Sequence, residues 1–112
     1  MSKPKILFVC SRNKWRSPTA QNIYENDSRI EVRSAGLSEK SPHIISDSDI
    51  LWANLILVME SKHKTRIQDL FRDIELPPIK SLDVPDEYKY MDEELIKLIE
   101  IGVEHHIKLL DN

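Results

Sequence analysis

One cysteine, at position 10, is all the thiol this chain has. It cannot close an internal disulfide, so a reducing, cytoplasmic setting is expected. It equally excludes any mechanism that passes electrons between two cysteines of one chain. Long apolar runs are missing as well. Ile6 to Cys10 spans five residues, too few for a membrane span or even for the core of a secretory signal, so no membrane partner is expected. Positive charge is not in excess: 16 Lys and Arg stand against 19 Asp and Glu, a formal net charge of −3. Such a surface gives no reason to expect nucleic acid as a partner. Repeats, low-complexity tracts and linkers are absent too. What is present is ordinary for a globular protein: 112 residues, 40% hydrophobic and 31% charged, with 1–112 reading as a single domain around one core.

Short apolar runs alternate with helical patterns. Lys5–Val9 reads as a fully buried strand, continuous and rich in strand formers. Ser17-Pro18 reads as a helix start, with Ser17 as N-cap and Pro18 at the first helical position, where its missing N–H costs nothing. That helix is expected to reach about Asn26, with Ala20, Ile23 and Tyr24 toward the sheet. Ile30–Ser34 alternates, Ile30 and Val32 inward, Glu31 and Arg33 outward, and Ala35-Gly36 is expected to end it. Residues 37–45 have no period and read as loop. Ser46 to Ala53 reads as a short helix, with Ser46 and Asp49 as a capping-box-like pair. Asn54–Met59 is a second buried strand. Ser61–Arg72 is a helix with Ile67, Leu70 and Phe71 as its stripe. Pro77-Pro78 punctuate, Ile79–Val84 is the last strand, and a helix from about Asp92 to Leu110 carries Ile96, Ile99, Val103, Ile107 and Leu110 as its stripe. Alternation of this kind implies an α/β fold: three layers, α/β/α, around a four-stranded parallel sheet. In such folds ligands sit beyond the carboxyl ends of the strands. Cys10 falls at the end of the first strand and Asp86 just beyond the last, so the two are expected to share one rim.

Cys10 through Arg16 then forms a loop feeding a helix N-terminus. The first turn of a helix has free amide donors, and the helix dipole adds partial positive charge there. A tetrahedral oxyanion fits such a nest. Ser11, Arg12, Asn13, Lys14, Trp15, Arg16 and Ser17 are accordingly the candidate phosphate-binding residues. Arg16 adds a planar fork able to hold two phosphate oxygens at once, which lysine could not do. The same field favours the thiolate of Cys10. A nucleophile beneath a bound phosphoryl group points to phosphomonoester hydrolysis through a phosphocysteine intermediate. The leaving oxygen needs a proton from a carboxylic acid, which then activates the water that breaks the intermediate. No metal and no cofactor are required.

Each residue also has a plainer reading. A lone cysteine ending an apolar strand is usually a core residue; the Arg16-Ser17-Pro18 context argues otherwise. An Asp after Pro in a loop can be turn chemistry, Tyr88 a packing residue with a wet hydroxyl, and Asn13 an ordinary turn residue. Trp15 and Trp52 read as packing anchors. His105 and His106 are adjacent on a helix, about 100° apart, and do not converge on one metal ion. His43 and His63 are single and uninformative.

The stretch VCSRNKWRSPTA, followed by RSAG, LILVM and VPDEY, resembles the low-molecular-weight protein tyrosine phosphatases, in a short variant. Their signature is a cysteine, five residues, then Arg-Ser, opening just after the first strand. The resemblance implies Cys10 as nucleophile, Arg16 as phosphate clamp, Asn13 as the residue that holds the loop in shape and Ser17 as a hydrogen-bond donor to the thiolate. VPDEY stands where the family has its acid, which implies Asp86 as general acid and Tyr88 lining the substrate slot; Asp83 is the rival acid. Departures are Arg12 where many members have glycine, Trp15 where many have a second cysteine, and Glu87 in place of a proline. Cys10 therefore lacks a partner for a protective disulfide. The segment between Gly36 and Ser46 is short for the family and predicts a more open pocket. The expected substrate is a phosphorylated protein, probed at phosphotyrosine, or a small aryl phosphate. Two other classes compete: a phosphocysteine carrier, which has no use for an arginine clamp and nearby acid, and a non-catalytic phosphate-binding module, with Arg12 and Glu87 as marks of decay.

Overall fold

The computed structural model describes residues 3–110. Strands and helices alternate along the chain: β1 (Lys5–Cys10), α1 (Arg16–Tyr24), β2 (Glu31–Gly36), α2 (Asp47–Trp52), β3 (Leu55–Val58), α3 (Ser61–Leu70), β4 (Ile79–Ser81) and α4 (Glu93–Leu110). The sheet is four-stranded, in the order β2-β1-β3-β4, and every pairing is parallel. The chain leaves β1 to one side to form β2, then crosses back over β1 to form β3. Right-handed crossovers therefore put α1 on one face of the sheet and α2 and α3 on the other. Among the described residues no helix is long and apolar enough to cross a membrane.

The period of two along each strand divides the core in two. Ile6, Phe8 and Cys10 of β1, with Leu55 and Leu57 of β3, face Ala20 and Tyr24 of α1 and Leu95, Ile99, Val103 and Ile107 of α4. Leu7, Val9, Ile56 and Val58 face the opposite way, onto Ile50 of α2 and Ile67 of α3. Cys10 thus ends its strand on the face that α1 covers, at the carboxyl edge where β1 and β3 separate their onward connections. That is the switch point at which doubly wound sheets bind ligands.

Five local expectations are corrected. Ala35-Gly36 does not break β2, because Gly36 pairs with Cys10 at the end of the ladder. Helix α1 begins at Arg16 with Trp15 as its cap; Ser17 lies inside the first turn because its hydroxyl is turned toward Cys10 instead of the helix amides. The stripe of α4 runs Leu95, Ile99, Val103, Ile107, a strict four-residue repeat; Ile96 is half-buried and Leu110 is exposed. Leu70 of α3 is likewise 51% exposed, since the chain turns out at Phe71. Strand β4 stops at Ser81, although the amides of Leu82 and Val84 still donate to Val58 and Met59, 2.8 Å each. Asp83, at φ 54°, breaks the pleat there. By contrast the Ser46–Asp49 pair caps α2 as expected, the Asp49 carboxylate accepting the Ser46 amide at 3.1 Å.

The register of α4 is open to direct test. Leu95→Ala removes a side chain that is fully buried and is expected to cost about 2–5 kcal/mol, whereas Ile96→Ala is expected to cost about 1 kcal/mol or less. Urea unfolding of the two variants separates them; equal losses would contradict this packing.

Candidate active site

The thiol of Cys10 is free, and the residue is 3% exposed. Its Sγ lies 3.0 Å from Ser17 Oγ. Asn13 Nδ2 donates to the same hydroxyl at 3.0 Å, which turns the hydroxyl hydrogen away from Asn13. The other acceptor in reach, Ala35 O, is 3.4 Å away, beyond the ordinary O–H···O range. Either atom can be the donor of the sulfur contact; when Cys10 is ionised, the hydroxyl of Ser17 is the one that donates. Asn13 reaches its position only because its backbone is left-handed, φ 52°, a conformation asparagine tolerates better than most residues.

Gly36 makes that loop possible by its small size. A Cβ there would collide with Ser41 Oγ and stand 2.8 Å from the backbone nitrogen of Asn13. The loop then runs on with its amides unclaimed: those of Ser11 to Arg16 donate to no backbone carbonyl among the described residues. With the first turn of α1 they are donors left available for an anion at this loop.

Arg16 is 2% exposed and firmly held. Its Nη1 donates to Glu60 Oε2 at 2.7 Å and to the Val84 carbonyl at 2.9 Å, while Nε stands 3.6 Å from Asp86 Oδ1. Burial works against the Glu60 charge, but the hydrogen bond and charge of Arg16, with Lys62 and His63, outweigh it and hold that carboxyl below its usual range. Glu60 sits just past β3, at the same rim as Cys10.

His63 completes the wall. Burial first, then the Arg16 charge, push its imidazole down to about 4. It is therefore neutral at neutral pH. The Glu60 amide donates to Nδ1 at 3.1 Å, which leaves the proton on Nε2, 2.9 Å from Ser11 Oγ. Ser11 accepts there, and its own hydrogen is free to point into the cavity.

That cavity, about 280 Å³, is lined by Cys10, Ser11, Arg12, Lys14, Trp15 and Arg16, with Asp86 closing the far side. Lys14 Nζ lies over the Trp15 ring, 4.8 Å from its centroid. Asn13 and Ser17 brace the loop from behind. Asp86 and Cys10 do share one rim, and the Asp86 side chain is 59% exposed there. Two sequence expectations shift. Asp83 does not face this cavity: its carboxylate accepts from Ser81 Oγ at 2.7 Å and lines a separate depression with Glu60, Ser61 and Pro85. Tyr88 is not among the cavity-lining residues; it is half-buried against the core cluster beneath α4. Sequence reasoning missed Glu60 and His63. The signal available was Glu60's place directly after a buried strand, at the carboxyl edge where such sheets bind ligands. Among the described residues no three His, Cys, Asp or Glu side chains cluster as a metal site.

Solved structures with the same layout cover nearly the whole chain. A low-molecular-weight protein tyrosine phosphatase from Streptococcus pyogenes matches with a TM-score of 0.80, 19% identity, and coverage of 96% of this chain and 93% of that one. The fold is that of the low-molecular-weight protein tyrosine phosphatases. The YwlE arginine phosphatase from Geobacillus stearothermophilus shares it, with a TM-score of 0.68, 25% identity and 97% of each chain covered. In sequence, a protein-arginine-phosphatase of Geobacillus stearothermophilus is 34% identical over 60% of this chain. The chain spans 62% of the length of that curated relative. No family model matches the chain. The resemblance carried by the Cys10–Ser17 stretch thus extends to strand order, helix placement and the loop after β1.

Two consequences can be measured. Gly36→Ala forces the loop away from β2 and is expected to cost about 1–3 kcal/mol, with a displaced Asn13 amide resonance in the folded protein; an unmoved resonance would count against the close approach. His63, neutral when folded and ordinary when unfolded, takes up a proton more readily in the unfolded chain between pH 6.5 and about 4. Stability therefore falls on acidification through that window. His63→Gln is expected to lose this part of the pH dependence in thermal melts, while the wild type keeps it.

Proposed function

We propose that the chain is a cysteine-dependent phosphomonoester hydrolase acting on phosphorylated proteins, with phosphotyrosine or a small aryl phosphate as substrate. One observation carries the reading: a thiol, a buried guanidinium and a carboxylate converge on one 280 Å³ cavity. The Cys10 thiolate attacks phosphorus and the ester P–O bond breaks, with the electron pair leaving on oxygen. The loop amides, Ser11 and the Arg16 guanidinium hold the equatorial oxygens as charge builds there. Asp86 gives its proton to the departing oxygen. In the second half Asp86 takes a proton from water as that water attacks phosphorus, phosphate leaves, and the thiolate returns. Ser17 stabilises the sulfur charge at both ends of the cycle. Asp86 is preferred to Asp83 for the acid role, because Asp86 lines the same cavity as Cys10 while Asp83 lines a separate depression. The cytosol, where a thiol stays reduced, is the matching compartment.

A second reading, phosphoarginine in place of phosphotyrosine, is favoured by the 34% identity to a protein named as an arginine phosphatase. The same residues serve: a guanidino nitrogen replaces oxygen as leaving atom and takes the Asp86 proton. The carrier alternative is disfavoured by Asp86, which would discharge a phosphocysteine meant to be kept.

Hydrolysis of para-nitrophenyl phosphate decides the main point. Turnover is expected to vanish in Cys10→Ser, to fall roughly 10²- to 10⁴-fold in Asp86→Ala, and to change less than about twofold in Asp83→Asn. Stable labelling of Cys10 without release of phosphate would replace the hydrolase by a carrier. The ratio of kcat/KM for one peptide carrying phosphotyrosine or phosphoarginine chooses between the two substrates.

A further inference from the structure

A second and larger depression, about 600 Å³, opens beside the thiol cavity and shares Ser11 with it. His63 forms part of its floor; Leu37, Ser38, Glu39 and Lys40 come from the connection after β2, and Lys62 and Arg66 from α3. Its charge runs against that of the chain. The whole protein carries −3, yet this groove has Lys40, Lys62 and Arg66 against the single carboxylate of Glu39. His63, held neutral, adds nothing to either side.

These cations are not consumed by the fold. Neither Lys40 nor Arg66 has a carboxylate partner within salt-bridge distance among the described residues. Lys62 has only Glu60 at 3.8 Å, and Arg16 already takes that same oxygen at 2.7 Å. At the far end the groove meets the mouth of the thiol cavity, whose rim carries Arg12 and Lys14. A phosphoryl group seated over Cys10 would therefore have basic side chains on both sides of Ser11: Arg12 and Lys14 in the thiol cavity, Lys40, Lys62 and Arg66 in the groove.

We propose that this groove is a substrate subsite that takes acidic residues flanking the phosphoresidue of a phosphoprotein. The inference rests on the hydrolase reading and narrows it: the preferred substrate is a phosphorylated segment bearing Asp or Glu beside the modified residue. An extended peptide whose phosphoryl group enters the cavity past Ser11 would lay its neighbouring side chains over His63 toward Lys40, Lys62 and Arg66. The contacts are exposed, so each contributes modestly and is screened by salt. Together they set which phosphoresidues are chosen, with little effect on the chemical step.

The test uses binding and turnover side by side. Fluorescein-labelled phosphotyrosine peptides, one flanked by Asp and Glu and one by Ala, are titrated by anisotropy into the full chain carrying Cys10→Ser. The acidic peptide is expected to bind roughly five- to tenfold tighter at low salt. That ratio is expected to fall toward one in K40E/R66E and in about 0.5 M salt. Equal affinity for the two peptides, or a ratio indifferent to K40E/R66E, overturns the subsite. A single-stranded oligonucleotide bound as tightly as the acidic peptide, with the same loss in K40E/R66E, also overturns it, since the groove would then follow charge density and not peptide. Wild-type turnover of para-nitrophenyl phosphate is read separately. Turnover without peptide preference sinks the subsite alone, and absence of turnover sinks the hydrolase reading.

Discussion

The interactions around the Arg16 guanidinium hold the functional end of this molecule together. A buried charge without partners would cost several kcal/mol. Here the Glu60 carboxylate, 2.7 Å away, and the Val84 carbonyl, 2.9 Å away, offset that cost and fix the direction of the fork. Three segments far apart in sequence are thereby joined: the loop after β1, the end of β3 and the turn after β4. The same joint carries Asp86 to the cavity, because its backbone is tethered two residues earlier. Removing Glu60 would strand a cation beneath the site as well as loosen a wall.

A second chain of dependence runs through Ser17. Its hydroxyl can serve the Cys10 sulfur as donor because Asn13 occupies it from the other side. Asn13 can do so because it adopts a left-handed backbone, and that backbone fits because Gly36 has no side chain. The surroundings of the Cys10 sulfur thus rely on a glycine in a neighbouring strand. His63 acts in parallel on Ser11, with its tautomer set by the Glu60 amide. Two hydroxyls are oriented by two neighbours, one behind the sulfur and one in front.

Much of this was legible in the sequence, for physical reasons that differ by element. Buried parallel strands read as continuous apolar runs, so β1 and β3 were found nearly to the residue. Cys10 and Arg16 stand out in the sequence because a thiol at a strand end, with a guanidinium six residues on at a helix start, is the set of groups that phosphoryl chemistry on a cysteine would use. Periodicity was less sure where a helix has apolar residues at adjacent positions: Leu95 and Ile96 are both plausible inward residues, and only the packing against the sheet decides for Leu95. Asp83 and Asp86 look alike in sequence; the left-handed turn at Asp83 separates them, and no local signal announces that turn. Glu60 and His63 were invisible because their roles arise from a contact with residues about fifty positions away. Gly36 is ambiguous in sequence, since glycine marks a strand end and a close approach with the same letter.

The two tryptophans of the chain occupy unlike surroundings. Trp15 lines the thiol cavity beneath Lys14, whereas Trp52 lies on the opposite face of the sheet, with the Arg33 guanidinium 4.3 Å from its ring centroid. An indole beside a cavity changes its emission when charge and water are exchanged next to it; the half-buried one on the far face of the sheet is out of reach of that exchange. Substituting Trp52 by phenylalanine would leave Trp15 as the one indole, whose emission would follow what enters the cavity, with no dye attached.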